Sequence, residues 1–222
     1  MSEFAIANVL PGKLNALVKN VMLQTGETDP SEAVRLVNSG EWVLSKSTRT
    51  WNREKDVIRF SLTSDGTTGK DWIPRLEGKG FRVGEYTRHV LLSKDFVVTT
   101  GVVTEVAVLI CPKLSGTDRN IYNVLDNATR QMLIKPNAEL ACLMREKFTD
   151  NDIKAMGISY IVVMHEPIND VSGDPTFLAL NCYGSGNWLA GSESRPGNVW
   201  DHHGGFAFVE SQETRIRLYI SK

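Results

Sequence analysis

Val102-Val103-Thr104-Glu105-Val106-Ala107-Val108-Leu109-Ile110 is mostly β-branched and is polar only at Thr104 and Glu105. Branched and apolar side chains fit a pleated surface, so the run predicts a buried strand. Alternation places Glu105 on the face of Val103 and Ala107, either toward solvent or under a helix-covered edge. A buried carboxylate there would need a partner.

Downstream, Ile158 to Met164 reads as a second buried strand. Phe177 to Tyr183, Trp188-Leu189, Phe206 to Glu210 and Arg215 to Ile220 follow as β-type runs, separated by turns rich in Gly, Asn, Asp and Pro. Strands joined by short turns favour antiparallel pairing. Between the two buried strands, residues 119 to 134 look irregular to helical, and Pro136-Asn137 introduces a helix with Leu140, Leu143 and Met144 on one face. Thr149-Asp150-Asn151-Asp152 then caps a short helix ending at Gly157.

Upstream, β-type runs at 41–45 and 57–62 precede helices at about 70–77 and 84–92. At the beginning, Leu14, Leu17, Val18, Val21 and Met22 fall at i, i+3, i+4, i+7, i+8 spacing, one apolar helical face. Asp29-Pro30-Ser31-Glu32 opens a second helix with an N-cap, a first-position proline and an early acid. Asn38-Ser39-Gly40 stops it. The expected fold is α+β: an N-terminal helical hairpin (1–45) packed on a mixed core (46–222), with a largely antiparallel sheet formed by the C-terminal strands. The two parts also fit one continuous domain.

Composition narrows the classes of function. With 25 basic and 26 acidic residues the net charge is −1, which gives no general field for nucleic acid or anionic membrane. No stretch is apolar for the roughly 18 residues of a membrane span, and the N-terminus lacks the basic and apolar regions of a signal peptide. Cys111, Cys142 and Cys182 form no CxxC pair; Cys111 and Cys142 read as core residues of a reducing compartment, and Cys182 could meet His165 or His202 across a sheet, although nothing local implies a depressed thiol pKa. A cytoplasmic location follows as the expectation.

Several motifs resemble sites. Ser64-Asp65-Gly66-Thr67-Thr68-Gly69-Lys70-Asp71 lies between a strand and a helix, where a phosphate loop belongs. It has Ser64 where the pattern needs Gly and Asp71 where it needs Ser or Thr, and an aspartate repels phosphate. No nucleotide is expected. His165-Glu166 follows the second buried strand, and Asp201-His202-His203 sits in a turn before the Phe206 strand. If those strands are neighbours, His165, Glu166, Asp201 and His202 could form a general acid/base pair, or His165, His202 and His203 could hold a divalent metal. HExxH is absent, because Pro167 follows Glu166 and no histidine lies four residues after His165. Tyr183, Trp188 and Trp200 stand among glycine-rich turns, where aromatics either contact a ligand or close the end of a sheet.

Five phrases read together carry a resemblance: Asn38-Ser39-Gly40-Glu41-Trp42-Val43, Gly80-Phe81-Arg82-Val83-Gly84, Arg145-Glu146-Lys147-Phe148-Thr149, Met164-His165-Glu166-Pro167-Ile168 and Gly205-Phe206-Ala207-Phe208-Val209. Over most of the chain they resemble a group of uncharacterised bacterial proteins from environmental and candidate-phylum genomes. The resemblance implies a complete, bacterial, cytoplasmic chain and carries over no catalytic residue. Two functions follow as expectations. One is a non-enzymatic binding module for a small molecule or protein, using the aromatic, glycine-rich C-terminal loops. The other is a hydrolase, metal-dependent or general acid/base, built on the His/Glu/Asp cluster.

Overall fold

The computed structural model describes residues 12, 15, 18, 19, 22, 27–41, 50–110, 119–182, 186–195 and 197–211, and among these nine strands and six helices with both ends defined form around alternating and doubly buried apolar runs. The chain divides into two units, 1–49 and 50–222. In the first, α1 (Pro30–Asn38) begins as its sequence dictates: the Asp29 side chain accepts the Ser31 N–H, and Pro30 occupies the first turn. Gly12, Asn15, Val18, Lys19 and Met22 are helical, in line with the periodicity there. The closing residues of that helix and the β-type run from Trp42 to Ser45 lie outside the described residues.

The second unit runs β1 (Asn52–Glu54), β2 (Val57–Asp65), α2 (Gly69–Gly78), β3 (Arg82–Val83), α3 (Glu85–Leu92), β4 (Thr100–Ile110), α4 (Ile121–Arg130) and β5 (Leu133–Ile134). It continues through α5 (Glu139–Lys147), α6 (Asp150–Ala155), β6 (Tyr160–Asn169), β7 (Pro175–Asn181), β8 (Trp188–Glu193) and β9 (Gly204–Glu210). All nine strands share one sheet in the order β1-β2-β4-β9-β6-β7-β8-β3, with β5 added on β9. The class is α+β.

The sheet is mixed, not largely antiparallel as expected. β6 runs parallel to β9, and β3 parallel to β8. Antiparallel β6, β7 and β8 step away from the centre, and the chain then returns through residues 194–203 to place β9 on the other side of β6. A short-turn rule cannot anticipate such a return. Trp200 makes it possible by burying its ring against Phe206, 4.9 Å between centroids, so the link is packed rather than free. Gly204 completes the crossing, because a Cβ there would collide with the Tyr160 ring.

Apolar side chains fill both faces. On one face Ile58, Phe60, Val108, Val163, Leu178 and Leu189 pack under α2, α3, α5 and α6. On the other, Leu109, Phe208, Tyr160, Val162 and Phe177 pack against Val124 and Ala128 of α4. Strands buried on both faces read as continuous apolar runs, which is why β6 and the end of β4 stood out in the sequence. The first half of β4 is different: Val102 and Val103 are exposed and burial begins at Val106, the residue where pairing with β9 begins. Glu105 accepts a hydrogen bond from the Ser61 hydroxyl at 2.7 Å, on the side of the sheet open to solvent. The run at Arg215 to Ile220 lies outside the described residues.

Candidate functional site

His165 lies within β6, not on a loop after it, and is 1% exposed. Its Nε2 accepts the Leu178 N–H at 2.9 Å, and its Nδ1 lies 2.6 Å from the Glu166 carbonyl. The Phe177 ring stands edge-on at 5.8 Å. Burial pushes the imidazole pKa down to about 4, against a smaller upward pull from the Glu166 backbone bond and charge. Glu166 turns the other way, into solvent, where its carboxylate accepts from Lys135 Nζ at 2.9 Å.

The second cluster sits at the opposite end of β6. The His203 carbonyl accepts from Ser159, just before β6 begins, while His165 lies six residues further on. At about 3.3 Å of rise per residue the two clusters stand roughly 20 Å apart. Asp201 accepts the His203 backbone N–H at 2.7 Å through its carboxylate, and the Tyr160 hydroxyl at 3.2 Å through its carbonyl. The exposed His202 and His203 rings face each other at 3.8 Å. The convergence expected of His165 and Glu166 with Asp201 and His202 is therefore corrected: parallel pairing sets them at opposite strand ends. The metal set of His165, His202 and His203 falls with it. Among the described residues no three His, Cys, Asp or Glu side chains gather as ligands.

The aromatic turns also divide. Trp200 is buried and helps close the core. Trp188 is half-buried at the start of β8, with the Arg82 guanidinium 5.4 Å from its ring. Tyr183 lies outside the described residues. In the Ser64–Asp71 loop, Thr68 caps α2, and its hydroxyl bonds Asp71 at 2.6 Å, so a helix cap accounts for the motif. Burial drives the Cys182 thiol up to about 12, unsuited to a nucleophile.

What remains open and chemically equipped is a cleft of about 650 Å³, lined by Glu54, Lys55, Asp56, Val57, Arg59 and Gln131. It lies between the β1–β2 hairpin and the C-terminal end of α4. Arg59 is on the sheet face that alternation turns away from Ile58 and Phe60. Its Nε donates to Glu210 Oε1 at 2.7 Å, and the Glu210 side chain is 7% exposed. Nη1 lies a long 3.4 Å from the exposed Glu54 carboxylate. Arg53 braces the hairpin tip, donating to the Lys55 and Met156 carbonyls at 3.2 and 2.8 Å. Lys55 (φ 54°) and Met132 (φ 55°), next to Gln131, are the two non-glycine residues in left-handed backbone among those described. Lys55 lines this cleft, and such conformations persist only where surrounding structure holds them. The cleft offers two carboxylates, an ammonium, a guanidinium and an amide.

Sequence reading passed over Arg59 and Glu210. A signal existed: an arginine inside an alternating strand, and a glutamate ending an otherwise apolar one, are candidates to pair across a sheet. No family model, curated protein or solved structure matches the chain.

Proposed function

We propose that the chain is a non-enzymatic binding module whose ligand seats in the cleft beside the β1–β2 hairpin through a carboxylate-like anionic group. The observation that carries this reading is the clamp on Arg59. Glu210 holds the guanidinium at Nε, and among the described residues the Nη atoms of this cleft-lining arginine have just the long Glu54 contact. A guanidinium is suited to bidentate recognition of a carboxylate or phosphate. Glu54 stands where the ligand's anionic group would bind and swings out to admit it. The aromatic C-terminal turns are a weaker contact surface, since Trp200 serves the core. Among the described residues the His165, Glu166, Asp201 and His202 set expected for a hydrolase does not come together.

Thermal unfolding of the whole protein against a panel of dicarboxylates, acidic dipeptides and sugar phosphates tests the reading. At least one compound, near a hundredfold excess over its dissociation constant, is expected to raise Tm by several degrees. Arg59→Gln should lose that response and Glu54→Gln should strengthen it. A panel without effect, or an equal response in Arg59→Gln, overturns the proposal.

A further inference from the structure

The β6–β7 ladder is interrupted at one place. Between the pairs Val163–Leu178 and Ile168–Thr176, residues 164–167 of β6 oppose Phe177 alone. Extra residues in one strand disrupt the local rungs, and the backbone groups left over must find other partners. The His165 ring turns back into this gap. The Leu178 N–H can only donate, so the Nε2 that accepts it bears no proton. The Glu166 carbonyl can only accept, so Nδ1 carries the ring's single proton. Both bonds specify one neutral tautomer. A second proton, on Nε2, would set N–H against N–H in a site closed to water.

Few charges act on the ring. On its own strand Glu166 faces solvent and is offset by Lys135, from the segment after β5. From β7 come Phe177 and the Thr176 hydroxyl, which donates to Asp170 Oδ2 at 3.2 Å and the Asp174 carbonyl at 3.1 Å. Phe177, the ring in contact with it, belongs to the apolar cluster of Met164, Phe206, Phe208 and Val124. Nothing nearby would steady an imidazolium except Glu166.

We propose that His165 is a proton-sensitive pin: protonation releases Leu178 and opens the β6–β7 ladder at the bulge, loosening β7, β8 and β3, which join the sheet only through β6. The strand order supplies the last step, since β7, β8 and β3 lie beyond β6 in succession. Burial agrees with it, holding the folded-state pKa at about 4, against about 6.5 in an open chain. Between those values the open state takes up a proton and the closed state does not. The pin therefore acts in full above about pH 6.5 and is lost as pH falls toward 4, with opening favoured roughly tenfold more per pH unit.

Amide hydrogen exchange of the whole protein, followed by NMR between pH 7.5 and 5 and corrected for intrinsic rates, tests this. Opening at Leu178, Ala179 and Leu189 should rise about tenfold per unit below pH 6.5, while Phe60 and Val108 hold steady. In His165→Gln, whose amide can bond both partners without titrating, the slope should vanish. Should that variant not fold, the ring-proton titration of the native protein decides. A His165 midpoint near 4 upholds the pin, and one near 6.5 overturns it. So does a pH response shared equally by Phe60, or none at Leu178.

Discussion

Arg145 has no exposed side-chain surface and yet carries a full charge. Its Nη1 donates to Asp150 Oδ1 at 3.0 Å and to the Trp188 carbonyl at 3.4 Å; Nη2 donates to the Phe148 carbonyl; the guanidinium lies 5.1 Å from the Phe81 ring. Asp150 in turn accepts from Asn187 N–H at 3.0 Å and donates its own N–H to the Asn187 amide oxygen at 2.8 Å. One side chain thus ties the end of α5, the start of α6 and the entry to β8. Removing one partner of a buried pair leaves the other uncompensated, which costs about 3–5 kcal/mol. Arg145→Met should lose stability on that scale in urea denaturation, and Arg145→Lys should recover little of it, because an ammonium cannot span the three acceptors. A loss below about 1 kcal/mol would refute the network's importance. Nothing in the sequence marks Arg145. Leu140, Leu143 and Met144 suggested a helix with one apolar face, whereas α5 is buried all round from Glu139 to Arg145. Periodicity finds a helix lying on a core, and it misses one sunk into it.

Elements whose ends are written in local chemistry were the most legible. Asp29 caps α1, and Thr149 with Asp152 forms a reciprocal capping box at α6: Asp152 N–H to Thr149 Oγ1 at 3.3 Å and Thr149 N–H to Asp152 Oδ2 at 2.7 Å. Thr149→Ala is expected to cost about 1 kcal/mol, read as a lower urea midpoint with an unchanged slope; an unaltered midpoint would mean the box contributes nothing. Elements held by partners distant in sequence were less legible. β1 is three polar residues and β3 only two residues long, and each exists because β2 or β8 offers it an edge. β6 reaches Asn169, five residues past the expected end at Met164, because the histidine ring replaces ladder rungs across a stretch that Glu166 and Pro167 make unlike a strand. The candidate site suffered in the same way: His165 looked reactive because its partner, a backbone N–H of β7, cannot be seen from β6.

At the scale of the molecule, class was readable and strand order was not. Alternation and burial assign residues to faces, but only the packed return through Trp200 decides that β9 enters between β4 and β6. That insertion has a consequence for synthesis. In the finished sheet β9 alone joins β1-β2-β4 to β6-β7-β8-β3, so until Gly204–Glu210 is made those two groups have no strand between them and each keeps an open central edge. Unpaired edges of this kind recruit other chains, and pairing across so long an interval is slow. Ribosome-bound chains stalled before Gly204 clears the exit tunnel should therefore be cut readily by protease within β4 and β6, and chains stalled after Glu210 clears it should resist. Equal resistance at both stages would show that the two sheets close without their shared strand. The protein's most dangerous moment, on this account, comes just before β9 is made, when a chaperone has two sticky margins to cover and seven residues still to wait for.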